Sequence, residues 1–162
     1  MNFLPIAHVL LLVTIANGSP LLAKRLMWNT LAGPVDRNIR FTDGRPVFGR
    51  SKTIRGLVVS VLSTAVAAQL TGLDWSRGAL IAMMAMAGDL LSSFVKRRLG
   101  MEPSTRVLGL DQLPESVFPA VLAAQFVTLS ITDVVAVGLM FLGGQLLVSR
   151  ILYAIKVRDR PY

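Results

Sequence analysis

Asp89 stands inside an apolar run, Ala79 to Val95, and is followed by Ser93 and then by Lys96-Arg97-Arg98. A carboxylate within hydrocarbon costs about 2.5–3.5 kcal/mol on insertion scales, so it needs either a basic partner or a ligand. On a helix Asp89, Ser93, Lys96 and Arg97 fall at offsets of zero, four, seven and eight and share one face. That face gathers an acid, a hydroxyl and two cations within ~12 Å of helical rise. Read alone, Lys96 to Arg98 also do no more than end a helix at a cytoplasmic surface. A hard divalent cation at Asp89 would require a further acidic oxygen, and Asp111 and Glu115 are the nearest sources. Taken singly, Asp111 reads as a helix N-cap and Glu115 as a solvated first-turn acid.

The second concentration of chemistry is a loop, Asp43-Gly44-Arg45 through Gly49-Arg50-Ser51-Lys52-Thr53-Ile54-Arg55-Gly56. Gly44 and Gly49 allow backbone amides near a ligand, and Lys52, Thr53 and Arg55 offer cationic and hydroxyl donors for phosphate oxygens. It is not a Walker loop, because two residues separate Gly49 from Lys52 and no strand precedes it. The alternative is a basic loop lying on anionic lipid.

The elements that must position these groups are apolar helices. Apolar residues make up 53% of the 162-residue chain and charged residues 16%, and mean hydropathy is +0.60. A soluble domain of this size needs more polar surface than that. Five runs are candidates to cross ~30 Å of hydrocarbon: Met1 to Ala23, Leu57 to Leu73, Ala79 to Val95, Leu113 to Ile131 and Val134 to Ile155. The first is interrupted by Asn17-Gly18-Ser19-Pro20, and it lacks the positive n-region of a signal peptide. Pro119 is placed to kink the fourth. Gly138, Gly143 and Gly144 give the fifth a flat patch that another helix could approach. Trp28 and Trp75 fall near span ends, where indole rings anchor at the interface.

The expected fold is therefore all-α, one integral-membrane domain over residues 1–162 with about five transmembrane helices and a basic loop at about 24–56. Charge position orients it. Sixteen of the 17 basic residues lie in Lys24 to Arg55, Lys96 to Arg106 and Arg150 to Arg160, and only Arg77 lies on the other side. The positive-inside rule then places the N-terminus outside, the C-terminus in the cytoplasm and the protein in the cell membrane as a multi-pass chain. The net charge of +8 is accounted for without nucleic acid. Absence of cysteine excludes disulfides and thiolate metal sites, and a single histidine, His8, excludes a histidine cluster.

Taken in order, Ala16-Asn17-Gly18-Ser19-Pro20, Pro34-Val35-Asp36, Asp43-Gly44-Arg45, Gly49 to Gly56, Gly88-Asp89 through Lys96-Arg97-Arg98-Leu99-Gly100 and Leu110-Asp111-Gln112 resemble the motifs of the CDP-archaeol synthase family. That family is similar to CDP-diacylglycerol synthases and has a cytidylyltransferase membrane core. The resemblance spans about Asn17 to Arg150. It implies transfer of CMP from CTP to a membrane lipid phosphate, with release of pyrophosphate and use of Mg²⁺. It also implies that Asp89 and Asp111 are the metal-binding acids and that Lys52, Arg55, Lys96 and Arg97 lie near phosphates. Asn17, Asp43 and Ser93 are then expected to orient groups around them. The loop departs from a common family pattern, reading Pro34-Val35-Asp36-Arg37-Asn38 where Pro-Ile-Asp is often followed closely by glycine.

A lipid phosphate monoester, with a second pKa near ~6, is largely a dianion at neutral pH and attacks without a dedicated general base. This suits a chain whose single histidine is far from the basic loops. Two other classes fit part of the sequence: a small transporter or ion-conducting subunit using Asp89, and a scaffold that recruits acidic partners through its basic loops. The first does not need the glycine-and-cation loop around Lys52 and Arg55, and loss of nucleotide binding in purified protein would favour the second. The lipid tails, the number of metal ions and a homo-oligomeric state stay open at this level.

Overall fold

The computed structural model describes residues 3–26, 31–103, 105 and 107–154, the side chains of 152–154 excepted. Among these residues the regular structure is five helices: α1 (Phe3–Leu26), α2 (Ile54–Leu70), α3 (Trp75–Arg98), α4 (Gln112–Ala123) and α5 (Ile131–Ala154). Trp28, Arg106 and residues 155–162, which entered the expectations above, lie outside the described set.

The helix ends follow from local chemistry. Thr53, extended at φ −113° and ψ 150°, caps α2 by accepting the Gly56 amide on its hydroxyl. Asp74 caps α3 by accepting the Ser76 amide at 2.8 Å, so α3 begins before Ala79, and Lys96-Arg97-Arg98 complete its last turn. A reciprocal box starts α5: Ser130 donates its amide to Asp133 at 3.0 Å, and the Ser130 hydroxyl accepts the Asp133 amide at 3.3 Å. That Ser-x-x-Asp signal starts α5 at Ile131 instead of Val134. The Asn17 to Pro20 stretch does not interrupt α1, which is helical throughout with Pro20 inside it.

α1, α3 and residues Ile131–Ile151 of α5 are long and apolar enough to cross a bilayer. α2 has 17 residues and α4 only 12, a length of ~18 Å, so the apolar run from Leu113 to Ile131 is not one spanning helix. It ends at Ala123, where Phe126 and Val127 turn back to donate to the Ala123 carbonyl at 3.0 and 2.8 Å.

Burial is distributed as in lipid-solvated proteins. Leu4, Leu22, Leu62, Val66, Leu70, Leu139 and Leu147 face outward, while Ser60, Thr64, Ser92, Ser116, Arg55, Lys96 and Arg97 are buried. One end of the bundle has an apolar core of Ile6, Val9, Leu12, Ile81, Val137 and Phe141 with Ala68, Ala120 and Ala123. Nearer the loops the core narrows to Ala16, Ala82, Ala85 and Met86.

Small residues bring backbones together where the site is built. A Cβ on Gly88 would lie 2.2 Å from the Pro114 carbonyl oxygen, so only glycine lets α3 meet the start of α4. A Cβ on Gly78 would lie 2.3 Å from that of Ala68, closing α3 on α2. Gly138 packs against Val117, whereas Gly143 and Gly144 meet nothing within 4 Å.

Candidate active site

The loop between α1 and α2 is organised by Asp36. Its carboxylate accepts the amides of Asn38 at 3.0 Å and of Phe48 and Gly49 at 2.9 Å each. Burial pushes this carboxyl up, but the three amides outweigh it and hold it below its ordinary value. The loop amides at 48 and 49 are thus taken by an internal carboxylate, which corrects the expectation that Gly49 offers its amide to a ligand. Gly49 has φ +95° and Gly44 φ +74°, a left-handed region where a side chain would be strained.

Arg98 fastens this loop to α3. Its guanidinium lies 4.7 Å from the Phe41 ring centre and 4.9 Å from that of Phe94. It donates to Asp43 at 2.8 Å and to the Pro46 carbonyl at 2.6 Å. Arg45 returns the contact by donating to the Arg98 carbonyl at 2.6 Å, at the C-terminal end of α3.

The loop and the ends of α1, α3, α4 and α5 enclose a cavity of about 900 Å³, at the upper end of the range for small-molecule sites. Its polar wall contains Asn17, Lys52, Thr53, Arg55, Asp89, Ser93, Lys96, Arg97, Asp111 and Glu115. Nine of the ten residues singled out from the sequence are therefore brought together. The exception is Asp43, which holds Arg98 and the Arg45 amide instead. Its acid sits on the loop's outer side because the arginines at 45 and 98 draw it there. Thr53 lines the cavity, although its hydroxyl already accepts the Gly56 amide.

Two ammonium–carboxylate pairs organise the polar wall. Lys52, from the loop, pairs with Asp89 on α3. Lys96 on α3 pairs with Asp111 at 2.6 Å and also donates to the Thr105 carbonyl at 2.9 Å. Asp111 makes no capping bond to α4, contrary to its expected role as an N-cap. The chain turns back before the helix, Asp111 accepts the Val107 amide at 3.1 Å, and the opposite charge of Lys96 holds its other oxygen. Glu115 is likewise no solvated acid: it is 8% exposed and shares the cavity wall with Asp89. A signal for it existed, since Asp111 and Glu115 are four residues apart and share a helix face.

Arg97 is 4% exposed and donates through Nη2 to the Glu102 carbonyl at 2.8 Å. Its Nε and Nη1 are buried with no partner among the described residues. Buried guanidinium donors left open in this way suit an anion with several acceptor oxygens. Carboxylate oxygens from Asp89, Glu115 and Asp111 fit a hard divalent cation. Among the described residues no group of three or more acids or histidines is gathered closely enough to hold one unaided, so such a cation would draw its remaining ligands from water and substrate phosphates, as Mg²⁺ usually does. The opposite wall is apolar, with Leu10, Leu21, Met140, Phe141 and Val148 from α1 and α5.

A helical bundle of membrane-type surface, with a cavity that joins acids and cations to an apolar wall, has the chemistry of an enzyme suited to charged headgroups at a lipid boundary. The family model described as CarS-like, CDP-archaeol synthase, matches residues 7–162, and the chain belongs to that family. It is 32% identical over 155 residues to a CDP-archaeol synthase of Sulfurisphaera tokodaii, covering 91% of this chain and 89% of the relative. With the enzyme of the same name from Sulfolobus acidocaldarius it shares 33% over 135 residues, 80% of this chain and 83% of the other. A solved structure described as an intramembrane enzyme for archaeal membrane lipid biosynthesis superposes with a TM-score of 0.74 at 32% identity, over 91% of this chain and 94% of that one. The chain is accordingly a nucleotidyltransferase of lipid biosynthesis, a cytidylyltransferase acting from CTP on a lipid phosphate. These relatives do not favour the ion-conducting reading of Asp89.

Proposed function

We propose that this chain makes a CDP-activated lipid in the cell membrane, with Asp89 and Asp111 holding Mg²⁺ and with Lys52, Arg55, Lys96 and Arg97 binding phosphates. The observation that carries the assignment is the shared cavity: acids, cations and an apolar wall line one space. Asp111 keeps free acceptor capacity for a metal while bound to Lys96, because a carboxylate offers about four lone-pair sites. Mg²⁺ would neutralise charge on the reacting phosphates.

The lipid phosphate oxygen attacks the α-phosphorus of CTP, a new P–O bond forms, and the bond to the β-phosphate breaks to release pyrophosphate. The open Nε–H and Nη1–H donors of Arg97 are placed for negative charge that builds on the phosphates. Asn17 and Ser93 orient the reacting groups. The tails lie along the α1 and α5 wall, which is apolar and does not discriminate isoprenoid from acyl chains by composition.

The whole chain acts as one domain that crosses the membrane five times, N-terminus outside and C-terminus cytoplasmic. The basic-residue pattern supports this orientation. In this topology α4 and the following residues 124–130 together make the fourth crossing, with irregular backbone shielded by protein. Purified protein incubated with labelled CTP, Mg²⁺ and either an unsaturated ether-lipid phosphate or phosphatidic acid should form the CDP-lipid with at least one of them. No product from either lipid refutes the assignment.

A further inference from the structure

The close approach of α3 to α4, where a Cβ on Gly88 would lie 2.8 Å from the Glu115 amide nitrogen, sets Asp89 and Glu115 side by side in the cavity wall. Two carboxylates side by side repel unless a cation or a shared proton compensates them. In the structure that cation is the Lys52 ammonium on Asp89. It reaches the pair on a flexible four-carbon stem from the α1–α2 loop, and its side chain is 22% exposed, against 8% for Lys96. One ammonium cancels one charge, whereas a divalent ion cancels two.

Building on the metal-dependent reading above, we propose that Glu115 joins Asp89 and Asp111 as a metal-side carboxylate, and that the Lys52 ammonium and the divalent metal compete for Asp89 and Glu115. Metal loading and delivery of Lys52 to the substrate phosphates are then one exchange. The metal takes the carboxylate oxygens, and the displaced ammonium joins Arg97, which lines the same cavity. Lys96 takes no part, because Asp111 and the Thr105 carbonyl hold it from two sides. Glu115 is thereby a ligand-side carboxylate and not a solvated acid.

The test measures binding of Mn²⁺ alone to the full-length protein in detergent, by the paramagnetic resonance signal of free Mn²⁺. Removing the competitor in Lys52→Met should tighten Mn²⁺ binding about tenfold, and Glu115→Gln should weaken it by at least about tenfold, in line with the strength of close charge pairs. In the wild type, acetylation of Lys52 read by mass spectrometry should rise several-fold with Mn²⁺ and fall again when CTP is added. That arm needs no variant to fold. Unchanged or weaker Mn²⁺ binding by Lys52→Met, unchanged binding by Glu115→Gln, or Lys52 labelling indifferent to saturating Mn²⁺ overturns the exchange and leaves the enzyme assignment standing. A wild type that binds no Mn²⁺, with or without CTP, overturns both.

Discussion

The two lysine–carboxylate pairs in the cavity are alike in chemistry and opposite in support. Lys96 rises from α3, is nearly buried, and binds both Asp111 and a backbone carbonyl. Lys52 hangs from a loop, is more exposed, and meets a carboxylate that shares the cavity wall with Glu115. The first pair is a fixed part of the wall, tying α3 to the start of α4. The second is a latch, closed by a side chain that has somewhere else to go. Of two ion pairs in one cavity, the pair with less support from the surrounding backbone is the one whose partner exchanges more readily.

Removing the acid of the latch should have the largest effect. Asp89→Asn is expected to lower CDP-lipid formation by at least about 100-fold, because a metal clamp contributes several kcal/mol at the transition state. The protein should still insert and melt cooperatively, and full activity in this variant refutes the metal role. Breaking the fixed pair should act on stability as well as on activity. Lys96→Met leaves Asp111 charged and unpaired in a mostly buried place, at a cost of about 3 kcal/mol. Lys52→Met should cost less, about 1 kcal/mol, because this pair is the more exposed and Asp89 and Glu115 can share a proton once the ammonium is gone. Thermal melts in one detergent compare the two, and equal losses would erase the distinction.

Gly88→Ala attacks the contact on which Asp89 and Glu115 depend. Forcing a methyl against the Pro114 backbone should cost about 2 kcal/mol, visible as a lower melting temperature together with reduced activity. The smallest effect is expected at the loop that carries Lys52. Asp36→Asn keeps one acceptor oxygen and loses the other, at about 1 kcal/mol, so protease cleavage between residues 31 and 53 should speed up at neutral pH. The amides hold the Asp36 carboxyl below 3.8 in the folded chain. Its stabilisation is therefore fully present above about pH 4 and is lost as pH falls through the folded value. Wild-type loop cleavage should accelerate only below that point, while Asp36→Asn should show no such step.

Helices were legible where apolar length and charged ends agree. α1, α3 and α5 lie close to their expected runs, and the face linking Asp89, Ser93, Lys96 and Arg97 is real because α3 continues through Arg98. The fourth run misled because hydrophobicity alone does not say where a chain turns, and the turn after Ala123 rests on backbone bonds. Site residues on helices or beside caps were found by spacing. Asp43 was misplaced because its partners, Arg45 and Arg98, are fixed by the loop's path. Glu115 was undervalued because single-helix rules assign a first-turn acid to solvent, and only the Gly88 contact buries it.

The cavity's two unlike walls also govern how the products part. Pyrophosphate is soluble only in water and the activated lipid only in the bilayer, so each leaves through the phase that dissolves it. Phase preference, with no moving gate, would then draw the two products out of the cavity in different directions. The new lipid would remain in the leaflet where its precursor lay.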